Sequence, residues 1–538
     1  MNRGIRSLCF FIYQPHEWMA MQTGCPEKNT VPECIEYFRE QDPGALCCSV
    51  RAGGEWLSYS REQFWDYVCR YASLFARNLS EPTLVLFIKK LDIHLLAAYI
   101  GAMKAGHLPA QISPPTAKVS ESEYRRRIDH IREITGFGAL FIDVQEQARY
   151  SEVTQAKVFS PQMLPELPGA DRGFPSQDAL VQFSSGSTGL QKGVVLSHRG
   201  IIAHMQSYAA ALLIGPSDAV VSWLPLYHDM GLIACYLMPL MCGAPFYQMD
   251  PFDWITQPDI MLAVIEEKKP TLCFLPNFAY HLLVNKGRAH DLSSIRMWIN
   301  CSEPARLSSH ELFTGKYRSV RPETMTVCYA LAENTFAVTQ TLPWHGNSKR
   351  LDAAGALLSC GKPLPGVEVA VFDSEDTGAG EIGVHSPSLF NNFLDGTRPL
   401  RDGFYLTGDL GFVDEHGELF ITGRKKDLII VCGKNIFPQD VEFAASAVGG
   451  IYPGRVVAFG IWNEEMGTQD LFVLAERQDG NAPTPLKIAI QKAIMDEVGI
   501  VPKRVEILEH MSLVKTSSGK ISRSRNKAIY ESKGFTLL

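Results

Sequence analysis

The stretch FSSGSTGLQKG, from Phe183 to Gly193, lies between two apolar runs and concentrates small hydroxyl residues and glycines before a single lysine. Gly186 and Gly189 can adopt positive φ, which lets consecutive backbone N–H groups point inward, while the hydroxyls add donors and Lys192 adds a positive charge. An oligophosphate requires these groups. The lysine does not follow the last glycine directly, so the stretch is not a P-loop. A flexible surface loop is the structural alternative.

The segments around this stretch alternate between strand and helix patterns. A continuous apolar run from Leu84 to Ile88 is followed by apolar residues at helical spacing, and Gly106 closes that pattern. A charged helix around Glu123 to Glu133 and the strand-like GALFID from Gly138 come next. Such alternation predicts a parallel sheet with helices on its faces.

The texture changes from Val369 onwards to short β-like segments with glycine turns, including a hairpin that turns at Asp414 to Gly417. After Arg424 follows a smaller unit with three strand patterns and a helix near Pro485 to Val498. We therefore expect an α/β protein: a large N-terminal domain of layered α/β sheets with a β-rich subdomain, and a small C-terminal α+β domain.

Length and composition limit the possible function classes. A chain of 538 residues exceeds what one core usually supports, and its 46% hydrophobic and 20% charged residues are typical of a globular protein. The net charge of −7 and pI near 6.1 give no electrostatic reason to bind nucleic acid or an anionic membrane.

The 13 cysteines contain no C-x-x-C pair, which favours reduced thiols in a cytoplasmic protein. The apolar patch Leu8 to Tyr13 is too short to span a bilayer, and we expect no integral membrane association.

Further stretches with candidate catalytic or binding residues follow the serine- and glycine-rich loop. Their order along the chain is more informative about the protein's family than any one stretch alone. Together with the loop they resemble the motifs of the adenylate-forming (ANL) superfamily, with closest likeness to the fatty acyl-AMP ligases and acyl-CoA synthetases. The resemblance extends from about Trp56 to the C-terminus. The stretches are SWLPLYHDMGLI (Ser222 to Ile233), NCSEPA (Asn300 to Ala305), CYALAENT (Cys328 to Thr335), YLTGDLG (Tyr405 to Gly411), GRKKDLIIVCGKNIFPQDVE (Gly423 to Glu442) and KTSSGKISR (Lys515 to Arg523).

The resemblance implies ATP-dependent activation of a carboxylic acid to an acyl-adenylate with release of pyrophosphate. It implies catalytic roles for Lys520, His228 and Glu333, and Mg²⁺ ligands in Glu333 and Thr188. Structural alternatives are a helix cap or core residue for His228, a β-turn aspartate for Asp409 and a charged residue in a solvated linker for Lys520. Ala330 replaces the glycine that is usual in the family. The residues expected to contact the nucleotide are Ser184, Ser185, Gly186, Ser187, Thr188, Gly189, Lys192, Ser302, Glu303, Pro304, Tyr329, Ala330, Asp409 and Arg424.

The resemblance also implies two domains joined by a hinge at Lys426. Residues 1–425 would form the large domain with the ATP and acyl sites, and residues 426–538 a mobile domain that carries Lys520. ATP and Mg²⁺ are the expected cofactors.

The acyl acceptor and the acid stay open at this stage. The acceptor is a carrier-protein phosphopantetheine thiol, as in the most similar branch, or free CoA, because the segment between Glu333 and Cys360 is too short for the insertion usual in fatty acyl-AMP ligases. A fatty or other hydrophobic acid is favoured by branch likeness only. A luciferase-like oxidase and a non-catalytic adenylate-binding scaffold are the alternatives from other classes.

Overall fold

The computed structural model describes residues 25–115, 121–146, 150, 156–169, 173–184, 192–345, 351–352, 357–374, 379–431, 434–478, 480–515 and 520–533. The predicted phosphate-loop residues Ser185, Gly186, Ser187, Thr188 and Gly189 lie outside these ranges.

The strands are numbered here in chain order. They are β1 Leu46–Ala52, β2 Glu55–Ser60, β3 Leu84–Ile88, β4 Leu108–Gln111, β5 Ala139–Ile142, β6 Lys157–Phe159, β7 Asp178–Ser184, β8 Lys192–Ser197, β9 Val220–Ser222, β10 Phe246–Gln248, β11 Leu272–Leu275, β12 Met297–Asn300, β13 Met325–Ala330, β14 Ala337–Gln340, β15 Lys362–Pro363, β16 Glu368–Phe372, β17 Gly380–His385, β18 Asn392–Phe393, β19 Leu400–Arg401, β20 Phe404–Val413, β21 Leu419–Arg424, β22 Ile429–Val431, β23 Lys434–Ile436, β24 Ile451–Asn463, β25 Thr468–Arg477 and β26 Arg504–Leu508.

The α-helices are named by their ranges. They are Val31–Gln41, Arg61–Asn78, Ile93–Lys104, Glu121–Thr135, His198–Leu212, Met238–Cys242, Pro251–Thr256, Asp259–Lys268, Asn277–Lys286, Leu307–Lys316, Pro438–Ser446, Pro483–Val498 and Arg523–Lys533.

Local sequence explains why these elements begin where they do. Ser60 and Gln63 form a capping box at the start of helix Arg61–Asn78. Asp92 accepts the backbone N–H of Leu95 at 2.9 Å and so caps helix Ile93–Lys104. The two helices cross closely at Gly101, where an added Cβ would lie 2.7 Å from the Cβ of Tyr71.

Two mixed sheets form the large N-terminal part. One has the strand order β18-β8-β7-β4-β3-β5-β6, and the other β15-β14-β13-β12-β11-β9-β10-β1-β2. Their central strands are parallel, as the alternation predicts, whereas β7 and β8 form an antiparallel pair. One large hydrophobic core of buried residues covers faces of both sheets.

A third, antiparallel sheet with the order β16-β17-β20-β19 and β21 beside β20 forms the β-rich subdomain. The predicted hairpin between β20 and β21 is confirmed: Val413 pairs with Leu419, and the N–H of Gly417 donates to the carbonyl of Asp414 at 3.0 Å.

A smaller unit follows, in which β24, β25 and β26 form a sheet covered by helices Pro438–Ser446 and Pro483–Val498. It has its own core, which includes Ile429, Val441, Ile490 and Val505. The predicted fold class is therefore confirmed. No helix within the described ranges is long and apolar enough to cross a membrane.

Candidate active site

The predicted site residues converge at one edge of the nine-stranded sheet. Strands β9, β11, β12 and β13 are parallel neighbours, so their carboxyl ends lie side by side. After β9 comes the turn that carries His228, after β12 comes Ser302, and β13 ends in Tyr329 and Ala330. Such an edge is where open α/β sheets usually bind ligands.

The turn with His228 is held by side-chain amides from neighbouring strands. Gln182 donates through Nε2 to the carbonyl of Tyr227 at 3.1 Å, and Gln248 donates through Nε2 to the carbonyl of Leu224 at 2.7 Å. Both glutamines are buried. The turn that carries His228 is thus fixed by side chains from both large sheets.

Asp229, which the sequence reasoning missed, begins a π-helical segment, Met230–Leu237, that continues from this turn. Its carboxylate accepts the N–H of Met230 at 2.9 Å. Burial raises the pKa of Asp229, and the positive charge of Lys520 opposes that rise. The only signal in the sequence is its place after His228, and an ordinary helix cap shares that signal.

Lys520 reaches the site from the C-terminal unit. Its Nζ donates to the carbonyl of Ser302, a residue with φ of 73°. The Ser302 hydroxyl lies 4.0 Å from the sulfur of Met230, so the turn after β12 lies beside the π-helical segment. A cationic side chain is therefore held beside Asp229, at the turn predicted to contact adenine.

The neighbouring residue in that turn has a structural contact of its own. Glu303 accepts the backbone N–H of Phe278 through Oε2 at 3.1 Å, near the start of helix Asn277–Lys286. Pro304 is exposed. The carboxylate of Glu303 therefore ties the turn to the helix below it.

Tyr329, Asp409 and Arg424 form a chain of contacts across two sheets. The Tyr329 hydroxyl donates to Asp409 Oδ2 at 2.6 Å, and Arg424 Nε lies 2.8 Å from Asp409 Oδ1. Asp409 and Arg424 are register partners in β20 and β21. The Asp409 carboxylate is buried, and its charge raises the pKa of Arg424. Each Asp409 oxygen thus already accepts one protein donor, and each keeps a second lone pair for another.

Glu333 lies in a short 3₁₀ turn, Ala332–Asn334, after β13. The hydroxyl of Tyr405 donates to its Oε1 at 3.0 Å, and its own carbonyl accepts the N–H of Phe390 at 2.8 Å. Burial raises the pKa of Glu333, the bond from Tyr405 lowers it, and the negative charge of Asp229 raises it again. The two carboxylates and Lys520 therefore occupy one small region.

The described flanks of the serine and glycine loop form an antiparallel pair. Ser184 at the end of β7 is the register partner of Lys192 at the start of β8. The Lys192 ammonium lies 5.0 Å from the centre of the Phe393 ring. Phe393 stacks at an angle on Phe390, the residue bonded to the Glu333 carbonyl, with ring centres 4.7 Å apart. Phe393 and Phe390 thus connect Lys192, at the end of the loop, to the turn that contains Glu333.

Comparisons with known proteins bear on the family and the fold of the chain. Residues 36–394 match the AMP-binding enzyme family. The long-chain-fatty-acid–AMP ligase FadD26 of Mycobacterium tuberculosis is 24% identical, with 95% of this chain and 98% of that protein covered. The medium-chain-fatty-acid–[acyl-carrier-protein] ligase JamA of Moorena producens is 32% identical, with 64% and 66% covered. A solved structure from work on fatty acyl-adenylate ligases of E. coli and L. pneumophila superposes with a TM-score of 0.83 at 23% identity, covering 96% of this chain and 100% of that one.

Proposed function

The chain belongs to the AMP-binding enzyme family, and on that premise we propose that it activates a fatty or other hydrophobic carboxylic acid and passes the acyl group to a carrier-protein phosphopantetheine thiol. Activation of an acid as its adenylate, with ATP as co-substrate, is the activity of the family. The class of acid is suggested by the printed activities of FadD26 and JamA.

The observation that carries the proposal is the position of Lys520. Its ammonium donates to the Ser302 carbonyl, and its charge opposes the raised pKa of Asp229. Glu333, with its own raised pKa, is close enough to feel the charge of Asp229. A lysine that crosses from the C-terminal unit into a group of acids suits a reaction between two anions.

In the first half-reaction, a carboxylate oxygen of the acid attacks the α-phosphorus of ATP. The new bond joins that oxygen to phosphorus, the bond from the α-phosphorus to the bridging oxygen breaks, and pyrophosphate leaves with the electron pair. Lys520 would contact the attacking carboxylate and the α-phosphate, while His228 orients the acid. Tyr329 would lie against adenine, and Asp409 would accept the ribose hydroxyls.

The buried carboxylate of Glu333 suits a magnesium ion that would arrive with the nucleotide. Among the residues that the structure describes, no group of three or more His, Cys, Asp or Glu side chains could hold a metal alone. Mg²⁺ at nucleotide sites usually takes one or two carboxylates and completes its shell with phosphates and water. Glu333, together with Thr188 of the loop, would hold it. When bound, the ion would neutralise charge on the phosphates.

The second half-reaction requires a thiol to reach the acyl carbon. The thiol sulfur loses its proton to water and attacks that carbon, the bond from the carbon to the AMP oxygen breaks, and AMP leaves with the electron pair. We place the hinge for the necessary domain movement at Lys426, with domains of residues 1–425 and 426–538. Lys426 lies in the 3₁₀ turn Lys425–Asp427, directly after β21 and before the first core residue of the small unit, Ile429. Lys520 would withdraw from Ser302 in that movement.

Free CoA is the second candidate acceptor. It is favoured by the short segment between Glu333 and Cys360, which lacks room for the insertion usual in fatty acyl-AMP ligases.

ATP–pyrophosphate exchange over a panel of acids of different chain length, with aromatic and amino acids included, tests the first half-reaction. We expect exchange to depend on a hydrophobic acid. No exchange with any acid would favour an adenylate-binding scaffold, and exchange confined to amino acids would refute the proposed substrate class. Adding either a phosphopantetheinylated carrier protein or CoA to the preferred acid then separates the two acceptors.

A further inference from the structure

The turn after β12 contacts the small unit at both of its ends. At one end the Ser302 carbonyl accepts the Lys520 ammonium. At the other end Arg306 Nη2 lies 3.5 Å from Asp440 Oδ1, and its guanidinium lies 4.5 Å from the centre of the Phe443 ring. The side chain of Arg306 is only 17% exposed. One short turn of the large domain therefore meets both Lys520 and helix Pro438–Ser446.

The large domain fixes the backbone of Arg306 from below. The Asn277 side-chain oxygen accepts the N–H of Arg306 at 3.3 Å and the amide of Asn300 at 3.0 Å. Asn300 also shares a hydrogen bond of 2.9 Å with His310. Together with the bond from Phe278 to Glu303, this network fixes the turn through contacts that lie within the large domain.

Within the small unit, helix Pro438–Ser446 is joined rigidly to the segment that carries Lys520. Glu442 of that helix accepts two bonds from Arg523, at 2.8 and 3.1 Å. Arg523 also donates to Asp427 at 2.7 Å and to the carbonyl of Ala458 at 2.8 Å. Both Glu442 oxygens accept from the single nitrogen Nη2 of Arg523, and such charge-assisted hydrogen bonds are stronger than neutral ones. A displacement of helix Pro438–Ser446 should therefore also displace the segment that contains Lys520.

We propose that Arg306 is a positioning residue that clamps helix Pro438–Ser446 so that Lys520 stays at the nucleotide turn during acyl-adenylate formation. The inference rests on the proposed function and adds a residue outside the ATP and acyl sites. Asp440 and Phe443 move with the small unit, so the clamp must open when that unit turns to admit the thiol. The clamp therefore favours the first half-reaction and opposes the second.

Arg306→Ala in the full-length protein should lower the rate of ATP–pyrophosphate exchange by about tenfold, because both an ion pair and a cation–π contact are lost. The KM for ATP should change little, since the described contacts of the Arg306 N–H and side chain are with Asn277, Asp440 and Phe443, none of which is a predicted nucleotide ligand. Asp440→Asn should cause a smaller loss, because the contact with Phe443 stays. The paired charge reversal Arg306→Asp with Asp440→Arg should recover part of the rate lost in Arg306→Asp alone.

Arg401→Ala is the matched control. Arg401 pairs with Asp373 at 2.9 Å and lies 5.0 Å from the centre of the Phe372 ring, but all three residues belong to the β-rich subdomain. This variant loses the same kinds of contact without touching the small unit. Its exchange rate should equal that of the wild type.

Amide hydrogen exchange of residues 438–446 without substrates gives a readout that does not depend on catalysis. We expect faster exchange there in Arg306→Ala than in the wild type or Arg401→Ala. Equal exchange in all three, or equal catalytic losses in Arg306→Ala and Arg401→Ala, would overturn the clamp. A wild type that is inactive with every acid but shows the expected amide exchange would refute the proposed function and leave the clamp as a contact that controls lobe orientation.

Discussion

Removal of the Tyr405 hydroxyl should change the acid limb of the pH–rate profile. Its O–H donates to Glu333 Oε1 at 3.0 Å, and this bond lowers a pKa that burial raises. A hydrogen bond to a charged group contributes about 1.5 kcal/mol. Tyr405→Phe should therefore destabilise the ionised form of Glu333 and raise its pKa further.

The direction of the effect on rate follows from the protonation state that the reaction needs. In the proposed mechanism Glu333 must be ionised to bind Mg²⁺, so activity should fall as pH drops through its pKa. In Tyr405→Phe the fall should begin at a higher pH, while the rates of the two proteins converge at a pH well above both pKa values. At a pH within the shifted limb, the variant should also need more Mg²⁺ for half-maximal rate.

The assay is the pH dependence of kcat/KM for ATP in pyrophosphate exchange, at fixed ionic strength and several Mg²⁺ concentrations. Tyr317→Phe is the control, since that buried hydroxyl donates to the backbone carbonyl of Leu283 at 2.8 Å rather than to a carboxylate. An unmoved acid limb in Tyr405→Phe would refute the role of this bond. An equal shift of the acid limb in Tyr317→Phe would show that losing any buried hydroxyl, and not this bond in particular, causes the effect.

Three further changes test other parts of the structure. Asp409→Asn should raise the Kd for ATP about tenfold in equilibrium dialysis, because the variant loses the charge that pairs with Arg424; an unchanged Kd would contradict the ribose role. Gly231→Ala should lower the free energy of unfolding by about 1–3 kcal/mol in urea titrations, because its Cβ would lie 2.2 Å from the Pro225 carbonyl oxygen; a wild-type midpoint would contradict this packing. Burial lowers the pKa of His107 to about 4 from 6.5, so its stabilising contribution is present above pH 6.5 and is lost as pH falls towards 4; His107→Phe should flatten the dependence of Tm on pH in that window.

The parts of the fold that sequence predicted are those that local pattern controls. The strand Leu84–Ile88 and the hairpin at Asp414 need only an apolar run or a turn signal, and both are present in the structure. Helix Arg523–Lys533 was not predicted, because its sequence is mostly charged and has no clear apolar stripe. The helix is anchored by Tyr530. The centre of its ring lies 5.3 Å from the ring centre of Phe472 and 5.7 Å from that of Phe459. That contact depends on the tertiary structure.

The candidate site shows the same contrast between features that local sequence predicts and features that depend on tertiary contacts. Ordered motifs marked Lys520, Glu333 and Asp409 as candidates, since each belongs to a short string with its own composition. They could not reveal the bond from Tyr405 to Glu333 or the contact of Arg306 with Asp440, because each pair is far apart in the chain and meets only through sheet register or domain docking. The parallel sheet expectation was also incomplete, since the loop predicted to bind phosphate connects the antiparallel strands β7 and β8.

The central claim is that Lys520, brought from the small unit to the Ser302 turn, stabilises the transfer of the adenylyl group to the acid. The most direct test is single-turnover formation of acyl-adenylate by the wild type and Lys520→Ala, with ATP binding measured in parallel. We expect the rate constant to fall by about 10²–10³ while the Kd for ATP changes less than about threefold. An unchanged rate constant with saturating ATP and acid would contradict the account.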